Sequence, residues 1–98
     1  MNASTDHAQP TLVLPEQLTM ATAAQALVVL QRALNSQSGP AVVVDAQGLR
    51  VLDSSAVAVL LALRRELQAA GRSFSLRHPP ARLNELLSLY GVSDLLPT

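Results

Sequence analysis

The chain has 98 residues, 49% of them hydrophobic, with seven basic and seven acidic side chains and no cysteine. This is one domain's worth of sequence with enough apolar content for a core, and it excludes a disulfide framework and thiolate chemistry. The zero net charge, together with one Phe, one Tyr and no Trp, argues against a nucleic-acid partner and leaves no platform for stacking bases.

The longest unbroken apolar run, Ala56–Leu63, is too short to cross a bilayer, so no direct membrane insertion is expected. The first residues, Met1–His7, lack the basic and then apolar regions of a secretory signal. The reading is therefore a cytoplasmic domain spanning residues 11–98, preceded by a flexible N-terminal tail over residues 1–10 that is small, polar and closed by Pro10.

Thr11-Leu12-Val13-Leu14 predicts a short strand, which Pro15 ends or marks as an edge. A further strand fits near Leu14–Leu18. Thr22-Ala23-Ala24-Gln25 has the form of a capping box, with Thr22 as N-cap. It opens a helix over about Ala23–Leu34, and Asn35-Ser36-Gln37-Ser38-Gly39-Pro40 stops that helix with loop chemistry. Val42-Val43-Val44 is a continuous apolar run, as in strands buried on both faces. Asp45-Ala46-Gln47-Gly48 turns the chain, and Leu49, Val51 and Leu52 return it to the core.

A central helix follows over about Ser54–Ala70. Helical periodicity places Val57, Leu60, Leu61, Arg64, Leu67 and Gln68 on its core face, with Val59 and Leu63 at the margins. Gly71 is its C-terminal stop. Ser73-Phe74-Ser75-Leu76-Arg77 alternates polar and apolar residues and predicts a strand with one buried face. Strand, helix and strand in this order imply a parallel, right-handed crossover. His78-Pro79-Pro80 breaks the strand and suits a helix start. Leu83, Leu86, Leu87 and Tyr90 mark a short amphipathic helix ending at Gly91, and Val92–Pro97 closes the chain as a terminal turn. The expected fold class is a small single-domain α/β fold, a mixed four- to five-stranded sheet with helices packed against it.

The chemistry on offer is sparse. His7, His78 and the acids Asp6, Glu16, Asp45, Asp53, Glu66, Glu85 and Asp94 form no ligand pair at a recognised spacing, so no metal is expected. Gly48 stands alone without a phosphate-cradling glycine motif, so no nucleotide or other cofactor is expected. Ser54 and Ser55 are formal nucleophiles and His78 the one candidate base, but no G-x-S-x-G elbow is present and the chain is small for a substrate pocket, so no enzyme is expected. What remains is Asp53-Ser54-Ser55-Ala56, two hydroxyls and a carboxylate at the head of the most apolar helix. The backbone N–H groups and dipole there suit a cap, an anion or a phosphoserine. The residues alone favour the cap over the switch. Arg50, Arg64 and Arg65 are candidates for polar contacts with a partner.

Val42-Val43-Val44-Asp45, then Leu49, Val51 and Leu52, then Asp53-Ser54-Ser55-Ala56-Val57-Ala58 resembles the signature of a STAS domain, the fold of bacterial anti-sigma factor antagonists. The stretch from Gly71-Arg72-Ser73 through Pro79-Pro80-Ala81-Arg82-Leu83 to Leu89-Tyr90-Gly91-Val92 is similar to the MlaB-type branch, the small STAS subunit of the Mla phospholipid ABC transporter. The resemblance implies a non-catalytic cytoplasmic subunit held at the inner membrane by an MlaF-like ATPase, and it implies Asp53, Ser54, Ser55, Ala56 and Arg50 as partner-binding residues. By position Ser54 matches the hydroxyl residue that contacts the ATPase, and Ser55 matches the serine phosphorylated in anti-sigma antagonists. Ala56 departs from the glycine of that second branch, and Asp45-Ala46-Gln47-Gly48 departs from its commoner Asp-x-Ser/Thr-Gly turn. The alternative implied function is a phospho-regulated anti-sigma factor antagonist. A homodimer of the isolated domain stays open.

Overall fold

The computed structural model describes residues 11–96, so the tail expected over residues 1–10 and the last turn residue Pro97 lie outside the described residues. Within them the order is β1 (Thr11–Val13), β2 (Gln17–Leu18), α1 (Ala23–Asn35), β3 (Ala41–Asp45), β4 (Val51–Leu52), α2 (Ser54–Ala69), β5 (Ser73–Arg77) and α3 (Ala81–Leu89), closed by one 3-10 turn at Ser93–Leu95. This is the small α/β fold expected from the sequence. The five strands form two sheets rather than one: β1-β3-β5 and β2-β4. Every pairing among the described residues is parallel, so the antiparallel member that a mixed sheet requires is not found among them.

The register explains which side chains are buried. Leu12 sits opposite Val44, Val44 opposite Leu76, and Val42 opposite Phe74. Side chains alternate between faces along a strand, so these five share one face, and all five are buried. Val43 points to the other face and is buried as well, which accounts for an unbroken β-branched run where an alternating one would have left a polar residue. At the end of β3 the Asp45 carboxylate accepts the Gln47 N–H at 2.9 Å, and the Leu49 N–H reaches the Ala46 carbonyl at 3.1 Å. This side-chain turn returns Leu49 to the core.

Helix α2 packs against α1, α3 and β5. Its buried face consists of Ala56, Val57, Val59, Leu60, Leu63 and Leu67. That corrects the expected face: Leu63 and Val59 are central rather than marginal, Leu61 and Arg64 are half-buried, and Gln68 is exposed. The run from Ala56 to Leu63 is apolar all the way round, so periodicity alone could not set its phase. The helix ends where Gly71 takes a positive φ of 71°, with the Arg72 N–H reaching back to the Leu67 carbonyl at 2.8 Å. Gly91 (φ 69°) ends α3 in the same way, with the Val92 N–H on Leu87. Both are six-to-one C-terminal closures that favour glycine. Among the described residues no polar or charged side chain is buried, so the core makes no specific polar demands and polar function is left to the surface.

The start of α1 departs from expectation. Thr22 is the N-cap but forms no side-chain cap hydrogen bond. Its hydroxyl oxygen instead accepts the Thr19 N–H at 3.0 Å, and the Thr19 carbonyl receives the N–H groups of Thr22 and Ala23 at 3.0 and 2.8 Å. The expected capping box with Gln25 is replaced by a closed turn over residues 19–22.

Candidate functional site

Strand β4 delivers the chain to α2 beside β2. The Asp53 N–H donates to the Leu18 carbonyl at 3.2 Å, which extends the β2–β4 pairing by one residue. Asp53 is then the N-cap of α2, in extended conformation. Its Oδ1 accepts the Ser55 N–H at 2.8 Å, and its Oδ2 accepts the Met20 N–H at 3.0 Å. One carboxylate thus holds the first turn of α2 and the turn over residues 19–22 together. The Met20 N–H, and after it the Ser55 N–H, hold the Asp53 carboxyl below its ordinary value of 3.8, because hydrogen bonds to the charged form favour it. The helix end therefore supplies its own anion, with Asp53 as its cap.

The neighbouring residues divide by position on the helix. Ser54 is exposed. It borders a shallow, largely apolar depression of about 280 Å³ formed with Val57, Ala58, Leu61, Tyr90 and Val92, between α2 and the end of α3. Ser55 is half-buried, and its hydroxyl contributes a smaller share to the lowering of the Asp53 pKa. Ala56 has no exposure at all. The third helical position turns inward, and Ala56 packs in the core.

Arg50 is not drawn into the first turn of α2. It lies at the other end of β4, exposed, with its Nε 3.7 Å from Glu16 Oε2, an exposed pair of little energetic weight. Arg64 lies ten residues along α2 from Ser54, roughly 15 Å at the helical rise of about 1.5 Å per residue. It lines a separate depression, polar and apolar in equal measure, with Gln68, Arg72, Ser73, Phe74, Asp94 and Leu95. Arg65 is exposed beside it. His78, the one candidate base, is exposed with a positive φ of 55°. It lines a depression with Val43, Ser75, Leu76 and Arg77, a different one from that which Ser54 borders. Among the described residues no group of three His, Cys, Asp or Glu side chains could hold a metal ion, and no helix is long and apolar enough to cross a membrane.

Sequence reasoning did not single out Met20. It is 84% exposed, the highest value among the large hydrophobic residues described. A lone methionine in a polar stretch carries no periodic signal, and its place beside Asp53 depends on the β2–β4 pairing, which is invisible in a two-residue strand.

A family model described as "Mlab, STAS domain" matches residues 1–97. The chain belongs to the STAS domain family. Among solved structures, this STAS domain is similar to the anti-sigma factor antagonist SpoIIAA in its unphosphorylated form. The TM-score is 0.70 at 21% sequence identity, over 91% of this chain and 79% of that one. At that identity the match supports the shared fold alone. No curated protein matches the sequence at a significant level.

Proposed function

We propose that this STAS domain is a non-catalytic accessory subunit that docks on the ATPase of an ABC-type phospholipid transporter and supports its assembly and activity. In this reading it is cytoplasmic, held at the inner membrane through its partner, and serves outer-membrane lipid asymmetry. The observation that carries the reading is the match of the MlaB-type family model over residues 1–97. The geometry supports a docking role. The first turn of α2 presents an exposed Ser54 on a helix end that the Asp53 carboxylate caps through the Ser55 N–H and ties to the turn at Met20, so a partner meets a preorganised surface.

The deciding experiment is a tagged pull-down from the native host, with stoichiometric partners identified by mass spectrometry. Recovery of an ABC-type ATPase with its permease is the expected result. Recovery of a small ATP-binding kinase that also binds a sigma factor would overturn the proposal in favour of an anti-sigma factor antagonist, and phosphate on Ser55 would then be the modification to map.

A further inference from the structure

Two arginines line one depression without a counter-ion. Arg64 and Gln68 lie four residues apart on α2, hence on one side of it. Arg72 and Ser73 follow where the chain leaves that helix and enters β5. All four line a depression of about 330 Å³ that Phe74, Asp94 and Leu95 complete. Among the described residues the ion pairs are Arg50–Glu16 and Arg82–Glu85. Arg64, though half-buried, takes part in no ion pair and no hydrogen bond. Arg72 is half-buried as well. Its Nε and Nη1 donate to the Gly39 and Leu34 carbonyls, neutral acceptors that leave its charge uncompensated, and its Nη2 is enclosed without a partner. The acid in the lining is Asp94, exposed on the 3-10 turn and paired with neither guanidinium.

A charge drawn partly out of water is ordinarily matched by an opposite one, because its lost hydration has to be replaced. Its field is also less screened than that of a fully solvated side chain. Two positive groups facing one negative group leave this depression positive, on a chain whose formal net charge is zero. We propose that it is a binding site for a small phosphate monoester, with the phosphoryl group held at Arg64 beside Arg72. Guanidinium presents a planar fork of donors that matches phosphate oxygens two at a time, and the Arg64 fork has no competing acceptor in the fold. The Gln68 amide, which makes no hydrogen bond of its own, adds a neutral donor one turn along. Phe74 and Leu95 supply an apolar wall for the organic part of the ester. The volume, at the low end of the roughly 300–1,000 Å³ of ligand pockets, restricts that part to a small group. The site lies along α2 from Ser54 and lines a different depression, so the proposal stands apart from the docking reading.

The test uses the whole chain alone, titrated with inorganic phosphate and with phenyl phosphate at constant ionic strength and followed by NMR. Saturable shifts are expected at the Arg64 Nε–H, the Gln68 side-chain amide and the backbone of residues 72–74. Phenyl phosphate should bind about threefold or more tighter than inorganic phosphate, through the apolar wall. Arg64→Gln should weaken binding about tenfold or more with the melting temperature unchanged, since this side chain holds nothing in the fold. Arg65→Gln, one residue along and outside the depression, should keep the parent's affinity. Asp94→Asn should bind more tightly, because it removes the one repelling charge in the lining. Equal losses in Arg64→Gln and Arg65→Gln would mark diffuse surface charge and overturn the site. Absence of saturable binding by the parent would overturn it too, and binding that appears only in Asp94→Asn would identify Asp94 as the internal counter-ion in its place. Phenyl phosphate binding no tighter than inorganic phosphate would refute the ester.

Discussion

Ser54→Asp separates docking from folding more cleanly than any other single change. Ser54 is exposed at the first helical position, directly after the cap, so the replacement removes no core contact. A carboxylate in the first turn of a helix is stabilising by about 0.3–1 kcal/mol, and repulsion from the neighbouring Asp53 keeps the gain at the low end. With about 4–8 °C per kcal/mol for a domain of this size, the melting temperature should stay level or rise by a degree or two. Docking should respond in the opposite sense. Ser54 borders a depression without charged residues, and a partner closing over it would have to bury an unpaired carboxylate. Stripping such a charge of water costs several kcal/mol, and each 1.4 kcal/mol is tenfold in affinity, so a loss of about a hundredfold or more is expected. Thermal unfolding followed by circular dichroism, with calorimetric titration against the ATPase, reads both quantities. A stable Ser54→Asp variant that binds as tightly as the parent would refute the assignment of this surface.

Leu63 is fully buried at the centre of the α2 face, so Leu63→Ala should cost about 2–5 kcal/mol. That lowers the melting temperature by at least about 8 °C, whereas Gln68→Ala, on the exposed side, should be neutral within about 0.5 kcal/mol. Asp53 has a folded pKa below its ordinary 3.8. The stability it contributes is therefore complete above that ordinary value and is lost as pH falls through the lowered folded one. Urea midpoints of the parent and of Asp53→Asn should differ by a constant amount from neutral pH down to about 4 and converge below it; convergence already above that range would contradict the assigned hydrogen bonds. Arg72 donates from Nε to the Gly39 carbonyl at 2.7 Å and from Nη1 to the Leu34 carbonyl at 3.2 Å, closing the end of α1 against the entry to β5. Arg72→Ala should cost about 1–3 kcal/mol by denaturant unfolding, and Arg72→Lys should recover little of it, because an ammonium cannot reproduce a planar fork of donors.

Much of the framework was legible in the sequence because its signals were local. Residues 41–45 and 73–77 are strands as expected, one from its β-branched run and the other from its alternation. Gly71 and Gly91 end their helices because their positive φ suits a residue without a side chain. The misreadings came from tertiary competition. The Thr22 hydroxyl closes a backward turn rather than a forward cap, a choice set by the β2–β4 pairing and not by the four residues of the motif. The phase of the α2 face is not legible because the run from Ala56 to Leu63 is apolar all the way round: Ala56 and Leu63 are buried, while Leu61 lines the depression at Ser54.

The same competition decides how the Asp-Ser-Ser-Ala run works. In sequence the four residues look equivalent, a block of small side chains at a helix start. In the fold each faces a different environment: the Asp53 carboxylate turns toward two backbone N–H groups, Ser54 toward solvent, the Ser55 hydroxyl toward Asp53, and Ala56 toward the core. A helix turns by about 100° per residue, so three successive positions are spread over about 200° of its circumference. Successive residues at a helix start therefore cannot all form one contact surface. Of these four, Ser54 alone combines exposure with a free hydroxyl. The depression that it borders is completed by residues distant in sequence, Tyr90 and Val92 from the end of α3 and just beyond it. Specificity among STAS domains that share the Asp-Ser-Ser run should therefore reside in positions that line this depression, Tyr90 among them. Replacing Tyr90 should alter partner affinity more than any change within the run that leaves Ser54 in place.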